Sequence, residues 1–144
     1  VSIEINETEM FLNAVGMRES SNRYTVVNKW GYMGKYQFGK RTLKNLGYDV
    51  SRKEFLNSPH LQEKAMLDLL EHNRRILNSY IDTYSGTIID GVEITESGIL
   101  AAAHLGGPGN VKRYFKKGKQ FKDGNGTKLT SYLTNFSGYK LNLE

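Results

Sequence analysis

The longest helical pattern in the chain is the segment SPHLQEKAMLDLLEHNRRILNSYIDTY, residues 58–84. Ser58 has the place of an N-cap and Pro59 that of the first helical residue, where a missing N–H leaves no hydrogen bond unmade. Apolar residues then recur at helical spacing and form a single stripe. The stripe consists of Leu61, Ala65, Leu69, Ile76, Leu77, Tyr80, Ile81 and Tyr84. It predicts one long helix through about Tyr84 that serves as the central core helix of a mainly α fold.

On the N-terminal side, apolar residues at helical spacing predict a first helix that begins at about Thr8 and runs into Glu19. Residues 20–39 are polar and rich in glycine, a pattern too irregular for a long helix. A short helix is expected over residues 40–46, because Gly47 follows as a typical residue beyond a helix C-terminus.

Two further signals are local. Ser51 and Glu54 have the spacing of a capping box, which predicts another short helix directly before the long one. Asp90-Gly91 stands between two short runs of apolar residues, and a two-residue turn of that composition favours a hairpin. We expect this hairpin to be small and peripheral.

The C-terminal third reads as three more helices. Thr95 is expected to cap an apolar helix over residues 98–105, which Gly106-Gly107 ends, and Pro108 opens the next helix. A last amphipathic helix carries Leu129, Tyr132, Leu133, Phe136 and Tyr139. With no internal repeat and no linker, the chain is predicted to be a single domain over residues 1–144.

Composition excludes several classes of function. The chain has 144 residues, of which 38% are hydrophobic and 24% charged, as in an ordinary globular domain. It has no cysteine, which excludes disulfides, thiolate metal sites and thiol nucleophiles. The longest apolar run, residues 99–105, is far shorter than the ~20 residues that span a bilayer, so no membrane span is expected. The net charge of +5 favours polyanions, among them nucleic acid, anionic lipid and the carboxylate- and phosphate-bearing bacterial wall.

Metal and cofactor chemistry find no support in the motifs. His60, His72 and His104 include no pair four residues apart and no metalloprotease-type helix, so neither a metal nor another cofactor is expected. The chain also has no nucleophile elbow, no phosphate loop and no nucleic-acid-binding motif. The carboxylates therefore remain as the candidates for catalysis.

Glu19 differs from the other acidic residues in its surroundings. It ends an apolar helix and is followed by an aromatic, glycine-spaced segment, residues 30–39, with the sequence WGYMGKYQFG. A carboxyl group that faces apolar and aromatic side chains keeps its proton near neutrality, as the protonation of a sugar leaving group requires.

The same stretch carries a family resemblance. Residues 19–24, ESSNRY, and 31–37, GYMGKYQ, resemble the soluble lytic transglycosylases, whose pattern is roughly E-S-x-x-N-P followed by G-A-x-G-L-M-Q. Residues 101–111, AAAHLGGPGNV, are similar to the family motif A-A-Y-N-A-G-P-G-x-V, and a tyrosine-bearing helix closes the chain as it does in the family. These motifs stand in family order and cover nearly the whole chain.

The resemblance implies a lysozyme-like, goose-type helical fold with a groove for the β-1,4-linked GlcNAc–MurNAc strands of peptidoglycan. Glu19 matches the family's catalytic acid and base, which protonates the glycosidic oxygen and then accepts the proton of the MurNAc C6 hydroxyl as a 1,6-anhydro ring closes. In the family the N-acetyl group stabilises the cation, so a second carboxylate is not needed. The residues expected to bind the substrate are Asn28, Gly34, Tyr36, Gln37, His104, Gly107 and Tyr132.

The chain departs from the family pattern in four places, one of which is Leu105, where the family has an asparagine. His104 stands where the family has a tyrosine that contacts the catalytic glutamate, and it either orients Glu19 or fills the tyrosine's space. Lys35-Tyr36 replaces the Leu-Met that precedes the glutamine, which leaves individual sugar contacts open. Arg23 replaces the proline after the asparagine.

Two alternatives remain open at this point. A hydrolytic lysozyme of the same fold needs a second carboxylate or a positioned water; no acidic residue lies between Glu19 and Asp49, although Glu93 or Glu96 could serve. A non-catalytic glycan-binding module of a phage tail or secretion machine is the other. In each case the expected partner is peptidoglycan, not nucleic acid. We expect a monomer, or one domain of a larger assembly, that acts in the periplasm, in the wall or outside the cell.

Overall fold

The computed structural model describes residues 6–143, which form eight helices and one two-stranded hairpin. The helices are α1 (Glu7–Ser20), α2 (Lys40–Asn45), α3 (Arg52–Leu56), α4 (Pro59–Ile76), α5 (Asn78–Tyr84), α6 (Glu96–Gly106), α7 (Pro108–Lys117) and α8 (Leu129–Asn135). The strands are β1 (Ile88–Ile89) and β2 (Val92–Glu93). The mainly α class with a small antiparallel hairpin is therefore confirmed. Across this part of the chain, no helix combines the length and apolar character needed to cross a membrane.

Helix starts follow the local signals. The Ser51 hydroxyl accepts the N–H of Glu54, whose carboxylate accepts the N–H of Ser51, so the predicted capping box caps α3. Thr95 caps α6 by accepting the N–H of Gly98. The first helix differs slightly from the prediction: its cap is Asn6, whose side chain accepts the N–H of Glu9, and α1 accordingly begins at Glu7 rather than Thr8.

The long helix predicted over residues 58–84 is wrong in one respect, because the chain breaks at Leu77 into α4 and α5. Leu77 has φ −98° and ψ 9°, and it is fully buried, whereas Ile76 of the predicted stripe is 37% exposed. Apolar residues four apart drift by about 40° per step around a straight helix, so a stripe from Leu61 to Ile81 winds more than halfway around it. The break at Leu77 gives the second part of the stripe a new direction.

The described chain divides into two compact units, and the divisions fall within α1 and α4. The N-terminal unit is Leu12–Leu69, and the C-terminal unit comprises residues 6–11 together with 70–143. In the N-terminal unit the rings of Phe38 and Phe55 pack edge to face, with centroids 5.8 Å apart, at the centre of its core.

The C-terminal unit is built around α6, which is the most completely buried helix of the structure. The sequence had predicted that the segment 58–84 would be the central core helix. Ser97 on this helix is fully buried; its hydroxyl donates to the Phe136 carbonyl at 2.7 Å and accepts the N–H of Tyr139 at 3.0 Å. These bonds tie the chain after α8 to α6. The hairpin of the same unit pairs Ile89 with Val92.

The predicted turn of the hairpin is present. Asp90 and Gly91 have φ of 51° and 78°, as a tight turn with two left-handed residues requires. The Asp90 carboxylate accepts the Tyr114 hydroxyl at 3.1 Å. Burial, together with this hydrogen bond, raises the pKa of Tyr114 to about 12, so the phenol remains a donor at physiological pH.

A single glycine controls how closely α6 and α8 approach. A Cβ at Gly98 would lie 2.6 Å from the Leu133 carbonyl oxygen, which belongs to the backbone and cannot turn away. We therefore expect Gly98→Ala to destabilise the protein by about 1–3 kcal/mol despite the better helix propensity of alanine. Urea denaturation measures the change.

Gly109→Ala in α7 is the matched control, since nothing lies within 4 Å of a Cβ there. It is expected to be neutral or to stabilise by up to about 1 kcal/mol. Equal stability of the two variants would contradict the close approach at Gly98.

Candidate active site

Glu19 lies half-buried in the last turn of α1, in the N-terminal unit. The helix ends one residue later, at Ser20, because Ser21 and Asn22 adopt left-handed φ values of 56° and 59°. Their N–H groups satisfy the carbonyls of Met17 and Gly16, both at 3.0 Å. Non-glycine residues in this conformation are uncommon and cluster at functional sites. The carboxyl group is thus placed at a sharply terminated helix end.

Ser20 joins this helix end to the glycine-spaced segment. Its hydroxyl, in a side chain that is 5% exposed, donates to the Lys35 carbonyl at 2.7 Å and accepts the N–H of Arg23 at 3.0 Å. The residue next to Glu19 is therefore bonded to the residue two before Gln37.

Gly16 provides a second junction, one turn earlier on α1. A Cβ at this position would come within 2.8 Å of Lys35 Cε and 3.1 Å of its Cγ. The Lys35 stem thus crosses α1 where the helix has no side chain. Both contacts hold the last two turns of α1 against the segment 34–37.

The segment 34–37 has a tightly wound backbone. Gly34 and Gln37 have φ of 78° and 57°, and the Gln37 amide nitrogen donates to the Gly34 carbonyl at 3.0 Å. The fully buried Gln62 fills the space where a side chain at Gly34 would lie. Its amide oxygen accepts the Lys35 N–H, and its amide nitrogen donates to the carbonyls of Tyr24 and Phe55, each at 2.9 Å. Gly34 is therefore required for packing as well as for conformation.

Glu63, beside Gln62 on α4, accepts three hydrogen bonds. The donors are the hydroxyls of Tyr24 at 2.6 Å and Tyr36 at 2.5 Å, and the Lys35 ammonium at 2.8 Å. Burial on its own would raise the pKa of Glu63, but the hydrogen bonds from Lys35, Tyr24 and Tyr36 outweigh it and hold the pKa below 4.5. Glu63 is thus a carboxylate whose two oxygens are both engaged.

The donors around Glu63 keep their protons. Burial lowers the affinity of Lys35 for its proton, but the hydrogen bond and the charge of Glu63 outweigh that effect and raise the Lys35 pKa. The ammonium also lies over the rings of Tyr24 and Tyr36, 5.3 and 5.1 Å from their centroids. Burial and the bond to Glu63 raise the pKa of Tyr36. The Tyr36 ring is fully buried, so Tyr36 anchors the segment 34–37 in the core of the N-terminal unit.

Asn28 shapes an exposed aromatic turn. Its amide oxygen accepts the backbone N–H groups of Trp30 and Tyr32, both at 2.9 Å. The two rings that follow are 47% and 45% exposed, and the Lys29 ammonium lies 4.4 Å from the Trp30 centroid. Both rings are therefore open to contact with a ligand. Sequence reasoning selected Asn28 and passed over Trp30 and Tyr32, although their place in a glycine-spaced segment was a usable signal.

The remaining predicted site residues belong to the C-terminal unit. His104 is half-buried in the last turn of α6, and Gly107, with φ 81°, joins α6 to α7. The Asn110 amide closes this turn by donating to the Gly106 carbonyl at 2.7 Å. Tyr132 is 2% exposed in α8 and packs against another ring of the core. The structure thus brings His104 and Gly107 into one turn and places Tyr132 in the interior of the unit.

Sequence reasoning missed the pair Gln62 and Glu63. One signal was available, since Gln62 shares its helix face with Ala65, Met66 and Leu69, all of which are buried. A polar residue on a buried face needs hydrogen-bond partners.

Throughout residues 6–143, no three histidine, aspartate or glutamate side chains converge as a metal-ligand set.

Comparison with known proteins adds no assignment. No protein-family model matches the chain, and no curated protein or solved structure matches it significantly.

The Glu63 cluster predicts how stability depends on pH. A carboxylate whose pKa is lowered on folding contributes stability above its ordinary pKa of 4.5, and this contribution is lost as the pH falls through the lowered value. We expect Glu63→Gln to lower the free energy of unfolding by about 1–3 kcal/mol at neutral pH, because the donors lose a charged acceptor. The difference from wild type should shrink below pH 4.5.

Urea denaturation from neutral pH down to about 3 tests this expectation. Glu71→Gln is the matched control, because it removes a carboxylate of α4 whose ion pair with Arg75 is solvent-exposed and contributes little. A pH-independent difference between Glu63→Gln and wild type would contradict the assigned role of Glu63.

Proposed function

We propose that this protein cleaves the β-1,4 bond between MurNAc and GlcNAc in peptidoglycan, as a lytic transglycosylase of lysozyme-like fold with Glu19 as acid and base. The observation that carries the proposal is the 2.7 Å hydrogen bond from Ser20 to the Lys35 carbonyl. It joins the end of the helix that bears Glu19 to the segment that bears Gln37. The two motifs that the family resemblance pairs therefore meet in one unit.

The chemistry requires one group that first gives and then takes a proton. As a carboxylic acid, Glu19 donates its proton to the glycosidic oxygen while the bond from that oxygen to MurNAc C1 breaks, and GlcNAc leaves with a free hydroxyl. The N-acetyl oxygen stabilises the positive charge at C1. The Glu19 carboxylate then accepts the proton of the C6 hydroxyl as its oxygen bonds to C1, which closes the 1,6-anhydro ring and regenerates the acid.

The hydrogen bonds of Glu63 weigh against this residue as the second carboxylate of a hydrolase. A hydrolase of the usual kind needs a second carboxylate with an oxygen available to activate a water or to bond to the sugar. One Glu63 oxygen accepts from Tyr36 and the other from Tyr24 and Lys35. Those bonds fix Glu63 as part of the scaffold and leave Glu19 as the acid that we assign to catalysis.

The exposed rings of Trp30 and Tyr32 support a carbohydrate substrate, since the apolar faces of sugar rings pack on aromatic side chains. Asn28 sets the turn that carries both rings. We propose Gln37 as a further groove residue of the N-terminal unit on the family resemblance. A wall substrate also implies action in the periplasm, in the wall or outside the cell.

Replacement of one acid tests the proposal. Glu19→Gln removes both the proton that Glu19 donates and the carboxylate that accepts one, with little change in side-chain size. Release of muropeptides from purified sacculi should therefore fall at least about 100-fold while thermal stability and sacculus binding persist. Glu9→Gln, on the first turn of the same helix, is the matched control and should cleave like wild type.

Each outcome is decisive. Activity of Glu19→Gln equal to that of Glu9→Gln would remove Glu19 from the mechanism. A wild-type protein that binds sacculi but releases nothing between about pH 4 and 8 would instead be a glycan-binding module.

A further inference from the structure

The strongest concentration of positive charge in the chain lies on α7 and in the loop that follows it. Residues 112–122, with the sequence KRYFKKGKQFK, contain six cations and no acidic residue. Lys112 is half-buried, and the other five cations are exposed. The proposed cleavage chemistry uses none of them.

On α7, four of these cations form two pairs of like charge. Lys112 and Lys116 are four residues apart, as are Arg113 and Lys117. Like charges at this spacing repel each other and destabilise a helix. α7 contains no acidic residue, and the ion pairs within the described range involve residues 35–75 only. A bound polyanion would relieve the repulsion in both pairs.

The ammonium groups of one pair lie over an aromatic ring. The Nζ atoms of Lys112 and Lys116 are each 5.8 Å from the ring centroid of Tyr80 on α5. Tyr80 packs beside Tyr84 and Phe115, whose rings stack with centroids 4.4 Å apart and an interplanar angle of 9°. The attraction between cation and ring keeps the two ammonium groups near each other when no anion is bound. The surface is therefore partly organised before a ligand binds, which lowers the cost of binding.

The composition of the surface favours phosphate over carboxylate. Arginine binds a planar carboxylate through two parallel hydrogen bonds, whereas lysine contacts a phosphate as a point charge. Of the six cations in residues 112–122, Arg113 alone is an arginine, and its guanidinium donates to the Asn110 side chain at 3.4 Å. A row of lysines fits a flexible chain that carries one negative charge in each repeat.

Two other phosphate-bearing partners fit the surface less well. An anionic bilayer binds basic helices that also insert an apolar face, but on α7 and in the loop Val111 and Tyr114 are buried and Phe115 and Phe121 half-buried. Single-stranded nucleic acid stacks its bases on open aromatic rings. Here the rings pack on one another and beneath two ammonium groups.

We propose that this basic surface, formed by Lys112, Arg113, Lys116, Lys117 and Lys119, binds a phosphodiester polymer of the bacterial wall. The inference rests on the proposed function for the identity of the polymer, since an enzyme that acts on peptidoglycan meets the phosphate-bearing polymers of the same wall. The basic surface retains the protein at the wall and takes no part in breaking the glycosidic bond.

Two triple variants with equal loss of charge distinguish the basic surface from net charge. One carries Lys112→Gln, Lys116→Gln and Lys117→Gln; the control carries Lys40→Gln, Arg41→Gln and Lys44→Gln, three exposed residues of α2. Fluorescence anisotropy of labelled poly(glycerol phosphate), titrated with the full chain, measures the dissociation constant. We expect this constant to rise at least about tenfold in the α7 triple variant and less than about threefold in the control.

Absence of binding by wild type, or equal weakening in both triple variants, would overturn the proposal. Competition distinguishes the other sources of phosphate. Displacement of the labelled polymer by single-stranded DNA or by phosphatidylglycerol vesicles, at a lower phosphate concentration than unlabelled poly(glycerol phosphate) requires, would also overturn it. Urea denaturation of both triple variants verifies that the fold is intact.

The binding measurement requires no cleavage, so this proposal and the proposed function fail separately. Binding through α7 by a protein that releases nothing from sacculi supports the basic surface and contradicts the proposed enzyme. Release of muropeptides by a protein that does not bind poly(glycerol phosphate) overturns the basic surface alone.

Discussion

The Glu63 carboxylate and the three donors that converge on it are the interaction on which the N-terminal unit depends. A partly buried charge is costly unless its hydrogen bonds are complete, and here Tyr24, Lys35 and Tyr36 complete them. Two of these donors, Lys35 and Tyr36, belong to the segment 34–37, so the carboxylate holds the segment in place through its side chains. Gln62, one residue earlier, fixes the backbone of the same segment.

This constraint extends to Glu19 through short contacts. Glu63 holds the Lys35 side chain in place. The Lys35 carbonyl accepts a hydrogen bond from the Ser20 hydroxyl, and the aliphatic part of the Lys35 side chain packs against α1 at Gly16. The position of the last turn of α1 thus follows from a carboxylate on another helix. In the proposed mechanism Glu19 transfers protons, whereas Glu63 holds the groove segment and takes no part in proton transfer.

Much of the fold could be predicted because its signals are local. Ser51, Thr95 and the Asp90-Gly91 turn each act within a few residues, and the structure places a helix start or a hairpin at each. The break at Leu77 was missed because a stripe with a four-residue repeat resembles one continuous helix unless its drift is followed along the whole length.

The site was less accessible to sequence reasoning. Glu19 and Gln37 were predicted as site residues because they belong to recognisable motifs. Glu63 was not, because its partners Tyr24, Lys35 and Tyr36 are 39, 28 and 27 residues away, and only the folded chain brings them together. A carboxylate on the polar side of a helical stripe resembles a solvated residue until those partners are known.

In the proposed mechanism Glu19 works without a second catalytic carboxylate, and the sugar closes a ring instead of adding water. Digestion of sacculi in water labelled with oxygen-18, followed by mass spectrometry of the muropeptides, tests it most directly. Ring closure is expected to give products that end in 1,6-anhydroMurNAc and carry no label. Products that end in a reducing MurNAc labelled with oxygen-18 would contradict it and make the protein a hydrolase.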